Sequence, residues 1–172
     1  KAVFTMICFI SLLATGASGQ GSREYDLKAV FLYNFTQFVE WPSKAFPNSS
    51  APIIIGVLGA DPFGRSLVET VQGETVRNRR LVVEHYSRVE EIKTCHVLFI
   101  SQSEAGQLDR ILSNLKGRSI LTVGETPDFT QRGGVIGFVT EKNKIRLRIN
   151  LAAARAAELT ISSKLLRVAE TE

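Results

Sequence analysis

The chain has 172 residues, 44% of them hydrophobic and 22% charged, with 13 glycines and 5 prolines. This is the balance of a soluble globular domain, and it excludes disorder, collagen-like repeats and coiled coil. The formal net charge is +4. That is too small and too diffuse for a nucleic-acid footprint, so no nucleic-acid partner is expected. Two cysteines and two histidines cannot build a disulfide scaffold or a four-cysteine zinc site.

Lys1 precedes an apolar run over residues 2–14, and small residues follow, with Ala17 and Gly19 at the −3 and −1 positions of a cleavage site. This is the plan of a secretory signal peptide over residues 1–19. The run is shorter than the roughly 20 apolar residues that a membrane anchor needs. The expectation is an exported protein that folds as one domain over residues 20–172. A chain of that size buries roughly 68–70% of its unfolded surface and needs no disulfide. Only Cys95 remains after cleavage, next to the apolar run 97–100, so a buried inert thiol is expected. Cys95 and His96 are neighbours on a strand and point to opposite faces, so they make no catalytic pair. No metal site and no cofactor are expected.

Residues 26–40 read as a helix, with Leu27, Val30, Phe31, Phe35 and Phe38 on one stripe. Asn34 shares that stripe, where a polar group needs a partner. Pro42 ends the helix. Residues 53–58 read as a strand apolar on both faces. A helix over residues 61–71 follows, with Asp61 as its cap and Pro62 in its first turn. Strands are expected at 80–86, 95–101 and 119–123, and a helix at 104–116 stopped by Gly117. A short helical turn at 126–129 is released by Gly133 and Gly134. Residues 135–140 and 144–149 then form a hairpin. Asn150 caps a helix over 151–157, and Ser162 caps a last one over 164–169. Together these predict a three-layer α/β fold: a mainly parallel central sheet, helices on both faces, and a C-terminal antiparallel hairpin.

The turn from Gly56 to Gly64 is glycine-rich but matches neither G-x-G-x-x-G nor a P-loop. Ligands in open α/β sheets sit beyond the carboxyl ends of the strands. The residues there are Gly59, Asp61, Ser101 and Gly124, which form the candidate ligand set. They include no histidine or carboxylate pair, so no hydrolase is expected. In Lys144-Ile145-Arg146-Leu147-Arg148-Ile149 the apolar residues alternate with outward cations. Two readings stand: edge protection, or a docking face for an acidic partner. The candidate docking set is Arg146, Arg148, Asn150 and Ala154.

Lys28-Ala29-Val30-Phe31-Leu32-Tyr33-Asn34-Phe35 with Phe38-Val39-Glu40-Trp41-Pro42 resembles the opening of the YfiR family. Gly59 to Gly64, Cys95 to Ile100, Leu121 to Gly124, Gly133-Gly134, Ile149-Asn150 and Ile161 to Ala169 match the same pattern, in order. The resemblance spans essentially the whole mature chain. It implies a periplasmic, non-enzymatic regulator of cyclic di-GMP signalling and biofilm formation. Such a protein represses the sensor domain of a membrane diguanylate cyclase (YfiN-like) and is sequestered by an outer-membrane YfiB-like lipoprotein. Some related domains are fused to sensor kinases, and a homodimer is compatible with the resemblance. A second expectation is a periplasmic small-ligand-binding protein that feeds a sensor kinase or transporter. Three positions depart from the family pattern: Cys95 lacks a disulfide partner, Glu158 stands where glycine is common, and Arg148 where an acidic residue is common.

Overall fold

The computed structural model describes residues 18–171. Most of the expected leader therefore lies outside the described residues. Helix α1 (Ser18–Phe38) is followed by β1 (Val39–Glu40), β2 (Ile53–Leu58), α2 (Ser66–Val71), β3 (Thr75–Val76) and β4 (Arg79–Tyr86). Then come β5 (Val97–Ile100), α3 (Leu108–Leu115), β6 (Leu121–Gly124), β7 (Ile136–Glu141) and β8 (Lys144–Ile149). The chain closes through α4 (Leu151–Ala156), β9 (Thr160–Ile161), α5 (Ser163–Leu166) and β10 (Glu170–Thr171).

Eight strands form one sheet in the order β10-β8-β7-β6-β5-β2-β4-β3, and β1 pairs with β9 in a small separate ribbon. The strands β4, β2, β5, β6 and β7 are parallel neighbours. β8 returns antiparallel to β7, from Ile136↔Ile149 to Glu141↔Lys144. This is the expected three-layer fold. The chain order of the parallel strands places the topological switch between β2 and β5.

The two faces carry separate cores. On the first, Ile53, Ile55, Val57, Val97, Phe99, Leu121, Val123, Ile136 and Phe138 meet α1 and α2 through Ala29, Leu32, Phe35, Leu67 and Val71. On the second, Ile54, Leu58, Leu98 and Ile100 meet α3 through Leu108, Ile111 and Leu115, with Phe129 beside them. β2, β5 and β6 are buried along their whole length. Their unbroken apolar runs are explained by this two-sided cover.

Several elements differ from the sequence expectation. α1 stops at Phe38, because Val39 and Glu40 pair with Ile161 and Thr160. Its buried stripe is also rotated. Ala29, Leu32, Phe35 and Thr36 are inside, whereas Leu27 and Val30 are 47% and 41% exposed. Asn34 is half-buried, so water can reach its amide and no buried partner is required. α2 begins at Ser66, not at Asp61, because the Asp61 carboxylate accepts from the Phe63 amide and stabilises a turn before the helix. Residues 102–107 form a 3-10 turn, so α3 starts late. The ribbon β3–β4 turns through Arg77 and Asn78, both at positive φ. Asn favours that conformation, but Arg gives no such signal.

Candidate functional site

The crossover from β6 to β7 is a set of turns over residues 125–135 rather than a helix. The second face of the sheet is therefore covered by α3 only as far as β6. Phe129 takes the next place. Its ring lies over Gly124 and Gly134, where an added Cβ would stand 2.4 and 2.1 Å from ring carbons. Beyond Phe129 that face is formed by Gly137, Val139 and Glu141 of β7 and by Lys144, Arg146 and Arg148 of β8, since side chains alternate along each strand.

Arg146 and Arg148 thus stand two residues apart on the same face of β8, beyond the reach of α3. Arg146 is exposed. Arg148 is half-buried, with its guanidinium 3.7 Å from the Glu141 carboxylate. Asn150 is occupied with its own fold. Its Oδ1 accepts from the Ala153 amide at 2.8 Å and its Nδ2 donates to the Thr130 carbonyl at 2.9 Å. It caps α4 as expected and ties that helix to the β6–β7 crossover. Ala154 is 1% exposed and belongs to the first core. Its side chain offers no surface, so the docking face rests on the two arginines.

The candidate ligand residues converge in part. Gly59, Ser101 and Gly124 follow or end the adjacent strands β2, β5 and β6. At the switch point the chain fills its own crevice. The Ser103 hydroxyl accepts from the Ala60 amide at 3.0 Å, and an added Cβ on Gly59 (φ +89°) would stand 2.4 Å from it. Ser101 caps the following turn by accepting from the Ser103 amide. Asp61 lies apart, with its other carboxylate oxygen 3.0 Å from His85 Nε2.

A cavity of about 280 Å³ opens between the crossover and β7–β8, lined by Glu125, Thr126, Asp128, Thr130, Gly137 and Arg148 among others. Of the candidate residues only Arg148 lines it; Gly59, Asp61, Ser101 and Gly124 do not. Thr126 is 8% exposed, and its hydroxyl has no hydrogen-bond partner. Behind the cavity, Lys28 is 2% exposed and pairs with Glu125 at 2.5 Å and Glu24 at 2.6 Å. The Tyr25 hydroxyl donates to Glu125 at 2.8 Å, and burial and that carboxylate push its ionisation upward. Sequence reasoning missed this network. The i, i+4 spacing of Glu24 and Lys28 was its only local signal.

Cys95 and His96 point to opposite faces, as expected. Burial pushes the Cys95 thiol up to about 12, so it is not a nucleophile at neutral pH. His96 is 1% exposed. Its Nδ1 accepts from the Ile54 amide at 3.0 Å and its Nε2 donates to the Ala45 carbonyl at 3.1 Å. It stacks on Phe46 at 4.3 Å between ring centres, and Trp41 Nε1 donates to its carbonyl. Burial lowers its ionisation to about 4, which keeps it neutral. It is a structural latch for residues 41–47. Among the described residues no three His, Cys, Asp or Glu side chains are grouped to hold a metal ion.

Glu158 takes φ +58°, a conformation that glycine adopts more freely. Its carboxylate pairs with Lys44 at 2.5 Å, outside the site.

No characterised protein sequence matches the chain. Similar solved structures include a conserved domain protein from Vibrio cholerae, with TM-score 0.54 and 14% identity over 84% of this chain and 60% of that one. Another is the ABC domain in complex with L-Trp from Streptococcus pneumoniae, with TM-score 0.53 and 10% identity over 81% and 58%. The chain thus spans 60% or less of either relative's length, and at these identities the likeness concerns the fold alone. A family model, DUF4154, described as YfiR/HmsC-like, matches residues 25–170. That span begins within α1 and holds every later element through α5, both arginines and the crossover. The chain belongs to the YfiR/HmsC-like family.

Proposed function

We propose that the protein is exported to the periplasm and represses an inner-membrane diguanylate cyclase by binding its periplasmic sensor domain. Family membership supports both the location and the class of partner. The observation that carries the reading is the uncovered face of β7–β8, where Arg146 and Arg148 are presented together. A repressor of this kind acts by binding one state of its partner more tightly than the other. The two arginines give an acidic surface on the inactive state a place to dock. Deleting the gene should raise cellular cyclic di-GMP, and the rise should vanish when the cyclase is also removed. An unchanged level after deletion would refute the repressor role.

A second reading, a small-ligand receptor, is favoured by the cavity between the β6–β7 crossover and β7–β8 and by the unsatisfied Thr126 hydroxyl. Buried hydroxyls normally have partners, and a ligand could supply one. A ligand present at a hundredfold excess over Kd would stabilise the protein by about 2.7 kcal/mol. A thermal-shift screen of small polar metabolites tests it, and Thr126→Val should abolish any shift found.

A further inference from the structure

We propose that the outer edge of β8 receives an extended acidic segment of the partner protein as an added strand, an inference that rests on the protein-binding reading above. β8 is paired with β7 along all six residues. On its other side only Glu170 and Thr171 pair with it, parallel, at Arg148 and Ile149. Among the described residues, 144–147 have no strand on that side. Their outward N–H and C=O groups form a template for another chain.

The alternation of β8 specifies what that chain should carry. Ile145, Leu147 and Ile149 face the first core, and Lys144, Arg146 and Arg148 face the uncovered side. A strand laid on this edge continues the same alternation. Every second residue would stand beside a cation, and opposite charges across neighbouring strands attract. β10, a short strand of two residues, is a modest occupant that a longer segment can extend or displace.

Two other arrangements fit less well. A second copy paired β8 to β8 would set the cations of one row against those of the other, which is destabilising. The opposite edge of the sheet is β4, covered by β3 only at Arg79 and Arg80. Beyond that, Glu84 and His85 break any single-sign row, and Glu84 is held by the Tyr86 hydroxyl. Of the two sheet edges among the described residues, β8 is the one that combines an open backbone over 144–147 with three like charges on one face.

The test uses residues 20–172 and a blocked eight-residue peptide alternating glutamate and threonine. Binding is followed by fluorescence anisotropy and by amide hydrogen exchange. The expected result is saturable binding that slows exchange at residues 144–147. Arg146→Glu should weaken binding roughly fivefold. Removing residues 170–172 should tighten it. A peptide of the same sequence N-methylated at alternate residues should not bind, because strand addition needs its backbone donors. Equal binding by the N-methylated peptide, protection elsewhere, or no binding would overturn strand addition. If the N-methylated peptide binds equally while repression in cells still depends on Arg146, strand addition fails and the regulatory reading stands. If the unmodified peptide adds to β8 while Arg146→Glu represses normally, the strand site stands and regulation through it fails.

Discussion

The buried histidine makes stability fall in a pH range where few other groups titrate. His96 ionises near 6.5 in the unfolded chain and near about 4 in the folded one, chiefly because burial penalises the imidazolium. Protonation would also remove the Nδ1 lone pair that accepts from Ile54. Between those two values the unfolded state binds more protons than the folded state. The contribution is therefore complete above pH 6.5 and is lost progressively as pH falls toward 4. At 1.36 kcal/mol per unit, the loss between pH 7.5 and pH 4.5 is roughly 2–3 kcal/mol. Glu24, Glu91 and Asp109 are also held below the ordinary carboxylate range, by Lys28, the Ser87 amide and Arg132 respectively. Their contributions are lost at still lower pH, as these carboxylates protonate, mostly below this window. Urea unfolding at four pH values between 7.5 and 4.5 measures the slope. His96→Gln removes the titrating group and leaves the Ile54 amide without its acceptor. It should cost about 1–3 kcal/mol at pH 7.5 and flatten the slope. An equal slope in the variant would refute the latch assigned to His96.

Three further outcomes follow from the packing. Gly134→Ala places a Cβ 2.1 Å from the buried Phe129 ring and should cost about 1–3 kcal/mol in urea melts, whereas Gly106→Ala meets nothing within 4 Å and should be neutral. Lys28→Met leaves Glu125 and Glu24 without their cation and should cost about 3 kcal/mol; a loss below 0.5 kcal/mol would show the network to be dispensable. With Cys95 as the one cysteine among the described residues, the melting temperature of residues 20–172 should be the same with and without dithiothreitol.

The sheet was legible because its strands announce themselves chemically. The runs 53–58 and 97–100 are apolar on both faces, and 144–149 alternates, so buried and half-buried strands could be told apart. The caps Asn150 and Ser162 were readable because a side-chain acceptor before a helix is local chemistry. Three features were hidden. The stripe of α1 looked apolar at Leu27 and Val30, but burial selected the neighbouring face, where Lys28 is neutralised by carboxylates from two elements. The ribbon β1–β9 joins residues about 120 positions apart, and two-residue strands carry no periodicity to read. The filling of the switch-point crevice by Ser103 depends on a tertiary approach that no local pattern encodes. The basic alternation of β8 was visible, but its exposure to solvent followed only from the missing helix between β6 and β7.

In the proposed function, Arg146 and Arg148 form a charge-dependent docking face for a membrane diguanylate cyclase. It is tested most directly by cyclic di-GMP levels in cells lacking the native protein and supplied with either wild type or Arg146→Glu/Arg148→Glu, exported in equal amounts. Charge at an interface rim governs association and partner choice more than folding, so the double variant should melt within about 1 kcal/mol of wild type. Wild type should return cyclic di-GMP to its low level, and the double variant should leave it high. Full repression by the double variant would rule out this docking face.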